Sequence, residues 1–218
     1  VRRLAVLLVA LTTLSACTTV PDNAYYPKAG DPQTRVLAEA LYRAARAASE
    51  DPQRYTFAMI GTAEVRAYTS DDATFYFSDG LASQPIGVVD ALVAHEVAHE
   101  LLDHVGSRRN VSSSIAGGFG VLALLTTSAL GPLGLVANRL IVRVYTRQQE
   151  MAADQRAVEV LRDMGYTAPR RALADALRAA AAVNAPPDRG PFAPEPDLSE
   201  RLAALEPLEP SEPIARTR

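Results

Sequence analysis

His95-Glu96-Val97-Ala98-His99-Glu100-Leu101-Leu102-Asp103-His104 holds all three histidines of the chain within ten residues. Histidines at i and i+4 project from one face of a helix with Cβ atoms about 6 Å apart, close enough to share one metal ion. Glu96 stands one step round the helix, where its carboxylate can reach a metal-bound water and take its proton. The flanking Ala91, Leu92, Val93, Ala94, Val97 and Ala98 predict a buried helix, opened by Ser83 and Pro85 and running to about Val105. Buried imidazoles need polar partners, so two idle surface histidines fit this context poorly.

A catalytic zinc takes three protein ligands and leaves one position for water. No distant histidine exists to complete the set. His104 lies five residues after His99, whereas the metzincin spacing needs six, which is Val105, and a glycine at Leu102. A carboxylate fits better, and Arg147-Gln148-Gln149-Glu150-Met151-Ala152-Ala153-Asp154 offers two at i and i+4. On one helix face, one of Glu150 and Asp154 can bind the metal while the other accepts the remaining N–H of a ligand histidine.

Outward from these motifs the patterning is mixed. Asp31-Pro32 is an N-cap followed by proline at the first helical position, and Val36, Leu37, Ala40, Leu41, Ala44, Ala45 and Ala48 continue a helical stripe to about Ser49. Tyr55–Ile60, Glu64–Thr69 and Ala73–Ser78 read as three strands of a small antiparallel sheet, with turn chemistry between them. A long helical pattern runs from about Arg139 to Met164, where Gly165 stops it, and Thr167-Ala168-Pro169 opens an alanine-rich helix. Asp197 with Glu200 three residues on is a capping-box start for a short helix carrying Leu198, Leu202 and Leu205.

Between Asn110 and Asn138 lie 29 residues without a charge. One membrane crossing there would put Glu150 on the opposite side from His95 and His99, and two crossings need about forty residues. The expectation is a short apolar hairpin over 111–138, broken near Gly131-Pro132, buried, dipping into lipid or covered by an envelope protein partner.

The chain has 218 residues, 48% hydrophobic and 22% charged, which fits one globular domain. Its net charge of −3, or −5 without Arg2 and Arg3, gives no basic footprint for nucleic acid. A single cysteine excludes an internal disulfide. Residues 1–16 have the layout of a secretory signal, with Arg2 and Arg3 before the apolar run Leu4–Leu14. Leu14-Ser15-Ala16-Cys17 resembles the bacterial lipobox, which would make Cys17 a lipidated first residue; an ordinary signal peptide is the other reading. Thr18 and Thr19 in place of Asp resemble the signal for transport to the outer membrane, on its periplasmic face. Residues 17–30 then form the lipidated cysteine and tether, 31–206 the domain, and 207–218 a flexible tail, since eight of the fifteen prolines lie between Pro186 and Pro213.

His95-Glu96-Val97-Ala98-His99 together with Glu150-Met151-Ala152-Ala153-Asp154 resembles the gluzincin metallopeptidases of the HtpX, BepA and CAAX prenyl protease family. Arg66-Ala67-Tyr68 stands where an Asn-Ala-Phe-like segment is common, Asp79-Gly80-Leu81 follows the strand pair as in the family, and His104 matches a histidine that is not a zinc ligand there. The resemblance covers about residues 33–201. It implies a mainly α, α+β zincin-like fold with a small sheet and a zinc-binding H-E-x-x-H helix. It also implies one zinc per chain on His95, His99 and Glu150, Glu96 as general base and Asp154 behind a ligand. The family often carries His-Pro six residues before an arginine; here the positions read Glu195-Pro196 and Arg201, and Arg201 is the expected substrate or transition-state contact. The implied activity is zinc-dependent hydrolysis of polypeptides, with misfolded or mis-assembled envelope proteins as targets and the lipid as membrane anchor. The alternative is a client-binding envelope lipoprotein on the same fold that does not cleave.

Overall fold

The computed structural model of the chain describes residues 17–19, 23–69, 74–104, 119–120, 141–143, 145–184 and 196–210. The signal segment, Glu195 and all of the apolar hairpin except Phe119–Gly120 lie outside the described residues.

Among the described residues there are six α-helices and seven strands. The strands are β1 (Cys17–Thr19), β2 (Ala24–Tyr25), β3 (Thr56–Ile60), β4 (Ala67–Thr69), β5 (Thr74–Ser78), β6 (Phe119–Gly120) and β7 (Ile141–Arg143). The helices are α1 (Pro32–Ala47), α2 (Asp79–Ala82), α3 (Ile86–Leu101), α4 (Arg147–Asp163), α5 (Pro169–Val183) and α6 (Leu198–Leu205). Asp31 caps α1 by accepting from Thr34 N at 3.0 Å, with Pro32 at the first position, and its buried stripe includes Leu37, Leu41, Ala44 and Ala45. Asp197 and Glu200 form both bonds of the expected capping box at α6.

The sheet corrects the antiparallel expectation. β3 and β5 pair in parallel, from Thr56 opposite Thr74 to Ile60 opposite Ser78, and β4 lies outside them, antiparallel to β5. The main order is β2-β3-β5-β4, and β6 pairs with β3. The segment after β3 therefore crosses β5 before β4 turns back, a topology that turn chemistry alone does not reveal. Every residue of β5 is buried, as suits a central strand, whereas β4 pairs on one side only among the described residues. Phe57, Phe75 and Phe77 point into the helical side, and Tyr76 packs with Ala58 and Ile60 on the other. The approach to β4 is tight: a Cβ on Gly80 would meet the Ala63 carbonyl oxygen at 2.2 Å. Ser78 ties the same segment, donating to Glu64 O at 2.6 Å while accepting from Arg66 N at 2.9 Å.

α3 is buried along most of its length and sits at the centre, against α1, α4 and α5, with Ala91, Ala94, Val97 and Ala98 fully buried beside the buried polar Asp90, His95, Glu96, His99 and Glu100. The α4 helix starts at Arg147, later than its periodicity suggests, because Thr146 and Gln149 form a capping box. The β-branched Ile141-Val142 before it instead joins β7, antiparallel to β1, with Cys17 opposite Arg143. The helix ends at Gly165, whose φ of +97° lets Tyr166 N return to Leu161 O at 3.0 Å. Of the residues expected as a flexible tail, 207–210 are described and Leu208 and Glu209 are held to the domain. Glu209 accepts from the Arg170 and Arg171 amides at 3.3 and 3.0 Å, so its carboxylate satisfies the open N-terminus of α5, and Leu208 packs on the core. Among the described residues no helix is long and apolar enough to cross a membrane.

Candidate active site

The buried α3 presents His95, Glu96 and His99 toward α4, and α4 answers with Glu150 and Asp154. His95 Nε2 and His99 Nε2 stand 3.1 Å apart. Glu150 closes the triangle with Oε2 at 3.4 Å from His95 Nε2 and Oε1 at 3.5 Å from His99 Nε2. A metal with tetrahedral bonds of 2.0–2.2 Å holds its donors about 3.3–3.6 Å apart, so the spacing suits one ion. Two imidazole nitrogens and one carboxylate oxygen, all buried, form a group that could hold a metal. The remaining sequence candidate for a ligand, His104, does not join this triangle; its Nδ1 lies 3.1 Å from His99 Nδ1, on the far side of that ring.

Behind His95, Asp154 Oδ1 lies 3.0 Å from Nδ1. Arg201 from α6 then grips Asp154 in a two-pronged pair, Nε to Oδ2 at 2.8 Å and Nη2 to Oδ1 at 2.6 Å, and its Nη1 reaches Glu150 Oε2 at 3.2 Å. The guanidinium is thereby engaged by Glu150 and Asp154 of α4, with only 17% of its side chain exposed. In this position Arg201 braces Asp154 and Glu150. Arg201→Ala should leave Asp154 buried without its strongest partner and lower stability by about 3 kcal/mol, with Arg201→Lys recovering only part because it cannot make two parallel bonds. Chemical denaturation of the metal-free chain measures this; a guanidinium reserved for substrate predicts unchanged stability.

The electrostatics follow from burial and these pairs. Burial and the Arg201 charge both push His95 down, yet its hydrogen bonds to Asp154 and Glu150 outweigh them and raise it to about 9. His99 is held far below the ordinary histidine range by burial and by the neighbouring His95, His104 and Arg201, so it meets a metal already neutral, whereas His95 must give up a proton to bind one. Burial pushes Glu150 and Asp154 up, but His95 and Arg201 hold both below the usual carboxylate range. Burial also pushes the Glu96 carboxyl up, opposed by His95 and by Thr69.

Two contacts were not foreseen from the sequence. Thr69, at the end of β4, donates its hydroxyl to Glu96 Oε2 at 2.8 Å. Tyr145 stacks on His99 with ring centroids 3.6 Å apart and 19° between planes. Its position two residues before the first residue of α4 was the one available signal, whereas a lone strand threonine carries none. Cys17 lies in β1, opposite Arg143 of β7.

The sequence model of peptidase family M48 matches residues 31–209. No curated protein matches the chain.

Proposed function

Because the chain belongs to peptidase family M48, and so is a metallopeptidase, we propose that it is a zinc endopeptidase acting on envelope polypeptides. The observation that carries the reading is the triangle of His95, His99 and Glu150 with the Glu96 carboxylate on the same helix. Two imidazoles and a carboxylate are a donor set that suits zinc in catalytic sites. A zinc bound there supplies an acidified water and a positive charge for the scissile carbonyl oxygen.

The chain's own residues supply the rest. Asp154 accepts the Nδ1–H of His95, which leaves Nε2 free to act as ligand, and Arg201 holds Asp154 in place. A substrate strand adds to the side of β4 that pairs with no strand among the described residues, and so lies beside the face of α3 that carries Glu96. Thr69 occupies Oε2 of Glu96 and leaves Oε1 to take the proton from the attacking water. The same carboxyl then gives that proton to the leaving amine as the C–N bond breaks, so one peptide and one water become an acid and an amine.

Anchoring through a lipid on Cys17, at the periplasmic face of the outer membrane, is part of the proposal. Its support is the run Leu4–Leu14 ending in Leu14-Ser15-Ala16-Cys17. One experiment tests activity and anchoring together: cleavage of a fluorogenic unfolded protein by membrane and soluble fractions of cells making the full chain. Activity is expected in the membrane fraction, abolished by a chelator and restored by zinc, and Cys17→Ser should move it to the soluble fraction. Chelator-resistant cleavage, or none, contradicts the peptidase reading, and an unmoved Cys17→Ser contradicts the anchor.

A further inference from the structure

The two histidines of the triangle are supported in different ways. Behind His95 stands a carboxylate, whereas His99 Nδ1 meets another imidazole, His104 Nδ1, at 3.1 Å, with ring centroids 5.1 Å apart and planes at 67°. This contact is made by the way α3 ends. Asp103 takes a left-handed conformation with φ of 54°, which aspartate tolerates better than most side chains. Its amide donates to Glu100 O at 3.1 Å, and the His104 amide donates to His99 O at 3.1 Å. These are the two bonds of a Schellman stop, a motif that folds the residue after the turn back over the third-last helical residue. Apolar contact usually fills that place; here a histidine is folded onto a histidine. The His104 carbonyl also accepts from Gln149 Nε2 at 3.4 Å, which links the turn to the first turn of α4, next to Glu150.

The proton positions follow from the geometry. His99 Nε2 faces His95 and Glu150, so as a ligand it keeps its lone pair there and carries its proton on Nδ1. His99 is fully buried and Tyr145 covers a ring face, so that N–H has no bulk water to meet. Among the described residues His104 Nδ1 is the acceptor within reach, which places the proton of His104 on its own Nε2.

We propose that His104 is a positioning residue: delivered by the Asp103 turn, it accepts the Nδ1–H of His99 and so fixes the tautomer and ring orientation with which His99 binds metal. The proposal rests on the metal-site reading above. Loss of such a partner weakens metal affinity about 10–100-fold.

The test is the zinc dissociation constant, measured by competition with a chromophoric chelator, for the parent, His104→Leu and His104→Gln. Leucine keeps bulk without an acceptor, and glutamine offers a carbonyl oxygen in its place. His104→Leu should bind zinc at least about tenfold more weakly, and His104→Gln should lie within about threefold of the parent. Melting of the metal-free proteins separates this from a packing defect, which would lower both variants' melting temperatures together. Parental affinity in His104→Leu, or equal weakening in both variants, overturns the proposal while leaving the triangle intact. A parent that binds no zinc overturns the metal-site reading and this proposal with it.

Discussion

Glu96→Gln should retain its zinc and lose turnover, with kcat down about a thousandfold, inside the 10²–10⁴ range of a positioned acid–base group. The substitution keeps the shape and still offers an oxygen to the Thr69 hydroxyl, now 2.8 Å from Oε2. What it removes is the ability to take and return a proton. Glu96 is not among the three residues of the triangle, so metal content should not change. Stability should not fall either. Burial disfavours the charged carboxylate and pushes its pKa up, and a neutral amide at the same place escapes that penalty. Turnover on a peptide substrate, with zinc content and melting temperature on the same preparation, reads all three expectations. A Gln variant within tenfold of the parent would remove Glu96 from the mechanism. If the variant also served cells as well as the parent, the protein's work would be client binding.

Glu150→Ala should empty the site. Zinc binding in four-coordinate peptide sites is worth about 10–16 kcal/mol, so about 3 kcal/mol per ligand, and losing one weakens affinity by a hundredfold or more. The variant also removes the carboxylate that stands 3.4 Å from His95 Nε2 and 3.2 Å from Arg201 Nη1, leaving two cationic groups facing one another. Asp154 cannot take over, because both its oxygens are committed to Arg201 and His95. Elemental analysis after dialysis should show about one zinc per parent chain and little in the variant. Full occupancy in Glu150→Ala would mean that a different third ligand completes the set.

Local spacing made much of this site readable in advance. The i, i+4 repeat placed His95 with His99, and Glu150 with Asp154, on single helix faces, and the structure brings those two faces together. Caps were equally legible: Asp31, Asp197 and Gly165 all act at the ends where their chemistry points. What escaped was set by tertiary contact. Arg201 meets Asp154 across 47 residues, and nothing in a short capped helix announces that its arginine turns inward onto an acid. Thr69 reaches Glu96 from a strand whose edge position depends on a crossover, and the parallel β3–β5 pair depends on the same crossover. The late start of α4 reflects a competition that periodicity ignores, between a helical stripe and the β-branched Ile141-Val142 ahead of the Thr146 cap. His104 was legible as a non-ligand, but its place against His99 follows from the left-handed Asp103, a backbone choice the side-chain pattern does not encode.

The central claim is that one zinc sits between His95, His99 and Glu150. Anomalous diffraction at the zinc edge, from crystals of the zinc-loaded protein, tests it most directly. The account predicts a single strong peak about 2.0–2.2 Å from His95 Nε2, His99 Nε2 and a Glu150 carboxylate oxygen. No peak at that triangle, or a peak bound by Asp154 or His104 in place of Glu150, would contradict it.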